Sequence, residues 1–198
     1  MKEEHCIENK CRSGRHRGPS SYYIHDSEKV FEMLDLKPHH CFVDLGCGRG
    51  DYSLKALDIL KDNGEVVAVD KEGIFLEGLK THKENNLVKN LRIVETDIRG
   101  ILPIENEKAD VCLVSTVFHC IDMAKYGKDI AFEIRRILKP YGKLVVIECK
   151  KEDTFRGPPL HLRFSPEDIE KIFTPFGFEK ISVTSLGENY LIVMDIKK

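Results

Sequence analysis

The amino-acid sequence predicts an α/β fold on a seven-stranded, mostly parallel sheet with one antiparallel strand. Two observations carry this. From Asp26 onward, short apolar runs alternate with segments whose apolar residues recur at helical spacing, and such alternation implies parallel pairing through right-handed crossovers. The last two apolar runs are instead separated only by Leu186-Gly187-Glu188-Asn189. They are close enough to pair as a hairpin, which turns one strand against the rest.

The elements follow in order. Residues 1–24 are polar, crowd Lys10, Arg12, Arg15, His16 and Arg17 ahead of Gly18-Pro19-Ser20-Ser21, and show no period. They form an N-terminal segment, distinct from a domain over 25–198. Asp26 suits a helix N-cap; Val30, Phe31 and Leu34 line the helix that follows, and Pro38 stops it. Strand Cys41–Leu45 precedes a helix to about Lys61, and strand Glu65–Val69 a helix to about Glu84. Leu91–Glu95 and Ala109–Val114 are the next strands. Ile130, Ile134, Ile137 and Leu138 mark an amphipathic helix ended by Pro140, and Lys143–Cys149 is a strand. A last helix opens at Ser165-Pro166-Glu167-Asp168, where Ser165 is the cap, Pro166 fits the first turn and Asp168 completes a capping box. Gly177 closes it, and Phe178–Thr184 and Tyr190–Ile196 make the hairpin.

Bulk properties narrow the function. A chain of 198 residues is long enough for one domain with its own core. A net charge of −2 argues against nucleic acid and against anionic membrane surfaces. No apolar run approaches the roughly 20 residues of a membrane helix, and Met1-Lys2-Glu3-Glu4-His5-Cys6 lacks the apolar core of a signal peptide. Seven cysteines, an odd count, with Cys41, Cys112 and Cys149 in apolar strand patterns, fit buried thiols in a reducing cytoplasm. His5, Cys6, Cys11 and His16 form a thiol–imidazole cluster able to hold zinc or a soft metalloid, or are incidental residues of a tail. Their C-x4-C spacing is not that of a standard finger, and no metal site is assigned.

The chemistry starts at Val43-Asp44-Leu45-Gly46-Cys47-Gly48-Arg49-Gly50. A glycine-rich turn between a strand and a helix N-terminus is the usual nucleotide cradle of an open α/β sheet. Asp70, ending the next strand, stands where a carboxylate would accept from both ribose hydroxyls. The dinucleotide pattern requires a small residue at the third slot; Asp51 occupies it, and the glycines run G-x-G-x-G. Preceded two residues earlier by Asp44, this resembles the first motif of class I S-adenosylmethionine-dependent methyltransferases. Val66–Asp70, Thr96–Ile98, Asp110–His119 and Leu138–Leu144 match that family's later motifs in order, with Tyr141 replacing the first glycine of its Leu-Lys-Pro-Gly-Gly turn. The resemblance covers about 26–150, the rest more loosely. It looks most like the small-molecule methyltransferases of ubiquinone and menaquinone biosynthesis, with arsenite methyltransferases as neighbours.

This resemblance implies a Rossmann-like fold with helices on both faces, S-adenosylmethionine as cofactor and in-line methyl transfer to a small-molecule acceptor. The backbone of Gly46, Cys47, Gly48 and Gly50 would hold the cofactor's amino-acid end, and Asp44 its ammonium. Asp70, joined by Lys71, would hold the ribose. Asp97 would accept from the adenine amino group beside the Ile98 amide, unless Asp97 only caps a helix. Ser115, counted with the cofactor-binding residues, and His119 follow the fourth strand, near the transferable methyl. His119 would act as a base, orient the acceptor or shape the pocket. Arg156, His161 and Arg163 either bind an anionic acceptor or belong to a surface loop. Residues 15–25, with Tyr22, Tyr23 and His25, are a candidate lid. A non-catalytic cofactor-binding module and a nicotinamide-dependent oxidoreductase are the rival functions. Neither acceptor nor oligomeric state is legible.

Overall fold

A computed structural model describes residues 20–154 and 157–196. The seven strands are β1 (Cys41–Leu45), β2 (Glu65–Asp70), β3 (Leu91–Glu95), β4 (Ala109–Ser115), β5 (Leu138–Cys149), β6 (Phe178–Leu186) and β7 (Asn189–Ile196). They form one sheet in the order β3-β2-β1-β4-β5-β7-β6. Pairing is parallel from β3 through β5, and β7 runs antiparallel to both β5 and β6. One strand is therefore reversed, as the short final connection requires. The order reverses between β1 and β4, and ligands of such sheets bind beyond the strands' carboxyl ends at that point.

Five α-helices cover the two faces: α1 (Ser27–Leu34), α2 (Asp51–Leu60), α3 (Gly73–Asn85), α4 (Met123–Ile137) and α5 (Pro166–Phe173). Successive strand residues point to opposite faces, so a strand covered on both sides is apolar throughout. Val43, Val67, Cys112 and Val146 pack with Ile130 and Ile134 of α4 and Phe173 of α5. Phe42, Val66, Leu113 and Val145 pack with Leu34 of α1, Leu57 of α2 and Leu79 of α3. Among the described residues, no helix is long and apolar enough to cross a membrane.

Several boundaries differ from expectation. Asp26 does cap α1, accepting from the N–H groups of Glu28 and Lys29, but α1 stops at Leu34 because Asp35 turns left-handed at φ 49°. Pro38 comes after the helix has already ended. Leu138 belongs to β5, not to α4. It pairs with Ala109, and the register resumes only at Val111 with Lys143, so the expected turn is a bulge with Tyr141 at φ 68°. Leu186 pairs with Asn189, which shortens the hairpin loop to Gly187-Glu188. The capping box of α5 forms as expected. A 3₁₀ turn over Ser21–Tyr23, where the sequence shows no period, is capped by Ser20. Cys41 and Cys112 are buried, whereas Cys149, at the strand end, is only half-buried.

Candidate active site

The glycine loop is pinned to the end of β2: the N–H groups of Gly46 and Cys47 both donate to the Val69 carbonyl, at 2.8 and 2.9 Å. Its three glycines serve different ends. A Cβ on Gly46 would lie 2.5 Å from Val117 Cγ2, and one on Gly50 would lie 2.4 Å from Leu79 Cδ1. Both also hold positive φ, 75° and 81°. Gly48, at φ 55°, has nothing within 4 Å of where its Cβ would stand. Two glycines thus allow close packing, and the middle one borders open space at the N-terminus of α2. Asp70 closes that space: Oδ2 accepts from the Gly48 N–H at 2.8 Å and Oδ1 from the Glu72 N–H at 2.9 Å. These bonds fix the carboxylate and leave acceptor capacity on each oxygen.

Asp44 is buried in β1 beneath the loop and accepts from Ser53 Oγ at 2.7 Å. Burial pushes its carboxyl up to about 7; the Ser53 bond opposes the shift and the negative charge of Asp70 adds to it. Burial likewise drives the Cys47 thiol up.

Beyond β3, Asp97 starts no helix, which removes its role as a helix N-cap. It makes an Asx turn with the Arg99 N–H at 2.9 Å and a forked pair with the Arg99 guanidinium, whose Nη2 lies 2.7 Å from Oδ2. Burial alone would raise its carboxyl, but the Arg99 hydrogen bonds and charge outweigh burial and hold it below the usual carboxylate range. The Arg99 guanidinium lies over the Tyr126 ring, 5.1 Å from its centroid. Ile98 beside it is buried, and Lys71 is exposed.

Beyond β4, Ser115 Oγ lies 2.8 Å from Ser21 Oγ. Residues 20–25 therefore dock on the carboxyl edge. Tyr23 donates to Asp51 at 3.0 Å, and His25 Nε2 meets the Tyr52 hydroxyl at 2.6 Å. Tyr52, mostly buried, also faces both serine hydroxyls. His119 sits on the 3₁₀ turn Phe118–Cys120, with Nδ1 2.8 Å from Glu148 Oε2. The sequence reading missed Glu148, Tyr52 and Ser21. The available signal was one acid ending the apolar run of β5.

Arg163 bonds to its own loop. It is buried and donates to the carbonyls of Lys150, Glu152 and Pro158 and to Thr154 Oγ1, clamping the loop after β5. His161 is exposed. Arg156 and the cluster of His5, Cys6, Cys11 and His16 lie outside the described residues.

The family model described as a methyltransferase domain matches residues 36–174. The chain belongs to this methyltransferase family. The match spans the glycine loop, Asp70, Asp97 and His119, and it sets aside the nicotinamide oxidoreductase. This methyltransferase is 32% identical over 132 residues to the ubiquinone/menaquinone biosynthesis C-methyltransferase UbiE of Vibrio parahaemolyticus, covering 65% of this chain and 49% of the relative. UbiE of Shewanella sp. is 29% identical over 135 residues, 66% of this chain and 52% of the relative. The chain therefore spans about half the length of the curated relatives it matches. In fold it resembles a SAM-dependent methyltransferase of Aquifex aeolicus, with TM-score 0.78 and 23% identity over 90% of this chain and 94% of that one. A second match is the 1,6-didemethyltoxoflavin-N1-methyltransferase of Burkholderia thailandensis, solved with S-adenosylhomocysteine. It has TM-score 0.73 and 15% identity over 100% of this chain and 90% of that one. The sequence expectation of a class I methyltransferase using S-adenosylmethionine stands.

Proposed function

We propose that the protein transfers the methyl group of S-adenosylmethionine in line to a small-molecule acceptor at the carboxyl edge of the sheet. The observation that supports this most directly is the open space over Gly48, bordered by the fixed carboxylate of Asp70. A nucleoside with a cationic tail fits the acceptor-rich set of Asp44, Asp70 and Asp97. When bound, the cofactor supplies a methyl group on a positively charged sulfur.

The chain's own residues bind, orient and exclude water. The Gly46–Gly50 backbone holds the amino-acid end and Asp44 balances its ammonium. Asp70, with Lys71 beside it, holds the ribose. Asp97 and the Ile98 amide face the adenine, which requires Asp97 to share its oxygens with Arg99. Ser115 belongs to the cofactor-binding set, and His119 borders the acceptor. Residues 15–25 are the lid, and the described ones Ser21 and Tyr23 bond Ser115 and Asp51. A covered site keeps water from competing with the acceptor. The buried free thiols of Cys41 and Cys112 fit a reducing cytoplasm.

Calorimetry with S-adenosylmethionine and with NAD tests the cofactor half. Tight binding of the first and none of the second is expected, and the reverse sinks the proposal. Transfer of label from methyl-labelled S-adenosylmethionine into a small-molecule cell extract tests catalysis; label found only in macromolecules would exclude a small acceptor.

A further inference from the structure

One buried carboxylate has no part in holding the cofactor. Glu148 is wholly buried at the carboxyl end of β5, after the apolar run Leu144-Val145-Val146-Ile147. A carboxylate there is costly unless donors meet it. Two donors from a single turn do. Oε1 accepts from the Phe118 N–H at 2.7 Å, and Oε2 lies 2.8 Å from His119 Nδ1. The first bond fixes the backbone of the turn and the second fixes the ring. A carboxylate only accepts, so the hydrogen of the second bond belongs to Nδ1. In the neutral ring the proton-accepting lone pair is then on Nε2. The turn that carries the ring follows Ser115 at the carboxyl end of β4, the edge where ligands of such a sheet bind.

We propose that Glu148 is a positioning residue for His119 as catalytic base, and that the acceptor is one that loses a proton on methylation: a hydroxyl, an amine or a carbon acid. This rests on the methyltransferase reading and specifies its substrate class, because a thiolate or a soft metalloid needs no base. As the acceptor atom bonds to the methyl carbon, the carbon–sulfur electron pair returns to sulfur and the acceptor's proton passes to His119 Nε2. The Glu148 carboxylate offsets the imidazolium charge until the proton leaves to solvent.

The alternative is that Glu148 only anchors the turn through the Phe118 N–H. Glu148→Gln separates the two. Its amide oxygen still accepts from Phe118, but its NH2 group would face Nδ1, force the proton onto Nε2 and remove the lone pair from the reacting side. The test is nitrogen NMR of the full chain, labelled at histidine and saturated with S-adenosylhomocysteine in mildly alkaline buffer, with His119→Gln to assign the resonance. Wild type is expected to carry its proton on Nδ1 and Glu148→Gln on Nε2, with S-adenosylhomocysteine affinity unchanged in calorimetry. Label transfer from methyl-labelled S-adenosylmethionine into small-molecule extract should fall about a hundredfold or more in either variant, and no further in the double variant.

A wild-type proton on Nε2, full transfer by Glu148→Gln, or a labelled product methylated at sulfur or a metalloid would each overturn the proposal. Should Glu148→Gln not fold, the wild-type tautomer together with label transfer by His119→Gln decides: a proton on Nε2, or full transfer by His119→Gln, overturns the proposal. Failure of the wild type to bind S-adenosylhomocysteine would instead count against the methyltransferase reading.

Discussion

Asp44, one residue before the end of β1, and Asp70, the last residue of β2, lie on neighbouring strands. Asp44 is buried and its carboxyl is raised to about 7, whereas in the unfolded chain it titrates near 4. The folded state therefore holds a proton that the unfolded state has lost. Stability from this group is present below about pH 4 and drains away as pH rises through about 7. Asp44→Asn should melt higher than wild type at alkaline pH without cofactor, with the gap closing in acid. Affinity for S-adenosylmethionine, whose ammonium seeks the ionised carboxylate, should rise through neutral pH in wild type and stay flat and weak in the variant; calorimetry across that range checks it. For Asp70, alanine removes a charge-assisted contact worth about 1.5–3 kcal/mol. Binding should weaken roughly ten- to hundredfold, and wild-type affinity in a folded Asp70→Ala would refute the assignment. The glycines divide cleanly. Gly48→Val should abolish cofactor binding with modest loss of melting temperature: open space receives the new side chain, and the loss comes from a branched residue held at φ 55°. Gly50→Ala should destabilise the fold, because Leu79 is in the way. Asp70 was legible because it directly follows a strand and a glycine loop. Glu148 was not, because its meaning depends on His119, 29 positions away in sequence.

At the level of elements, caps were easier to read than ends. Asp26 and the Ser165–Asp168 box are local signals whose partners lie within three residues, so the sequence alone specifies them. Asp26→Ala should cost about 1 kcal/mol in denaturant unfolding. The end of α1 and the start of β5 depend on Asp35 and Tyr141 taking positive φ, which non-glycine residues rarely advertise. The Ser21–Tyr23 turn was invisible for another reason. Three residues cannot show a period, and its register is set by tertiary bonds to Ser115 and Asp51. Removal of residues 1–24 should leave the fold and most cofactor affinity intact while cutting turnover strongly. Wild-type turnover of the truncated protein would dispose of the lid, and with it any catalytic claim for Cys6 and Cys11.

For the whole molecule, alternation of apolar runs and helices was enough to foresee a sheet with one reversed strand. The order of strands was not legible, since parallel partners far apart in sequence leave no pairing signal. That order has a consequence for biosynthesis. β1 is the first of these seven strands to leave the ribosome, and all five of its residues are buried between two neighbours. β2 follows closely, but the other flank waits for β4, whose last residue is Ser115. At about 5–20 residues per second this takes on the order of ten seconds. Through that interval the nascent chain presents a bare apolar edge, Phe42 and Val43 included, and Cys41–Leu45 is the stretch that a holdase chaperone would shelter during translation.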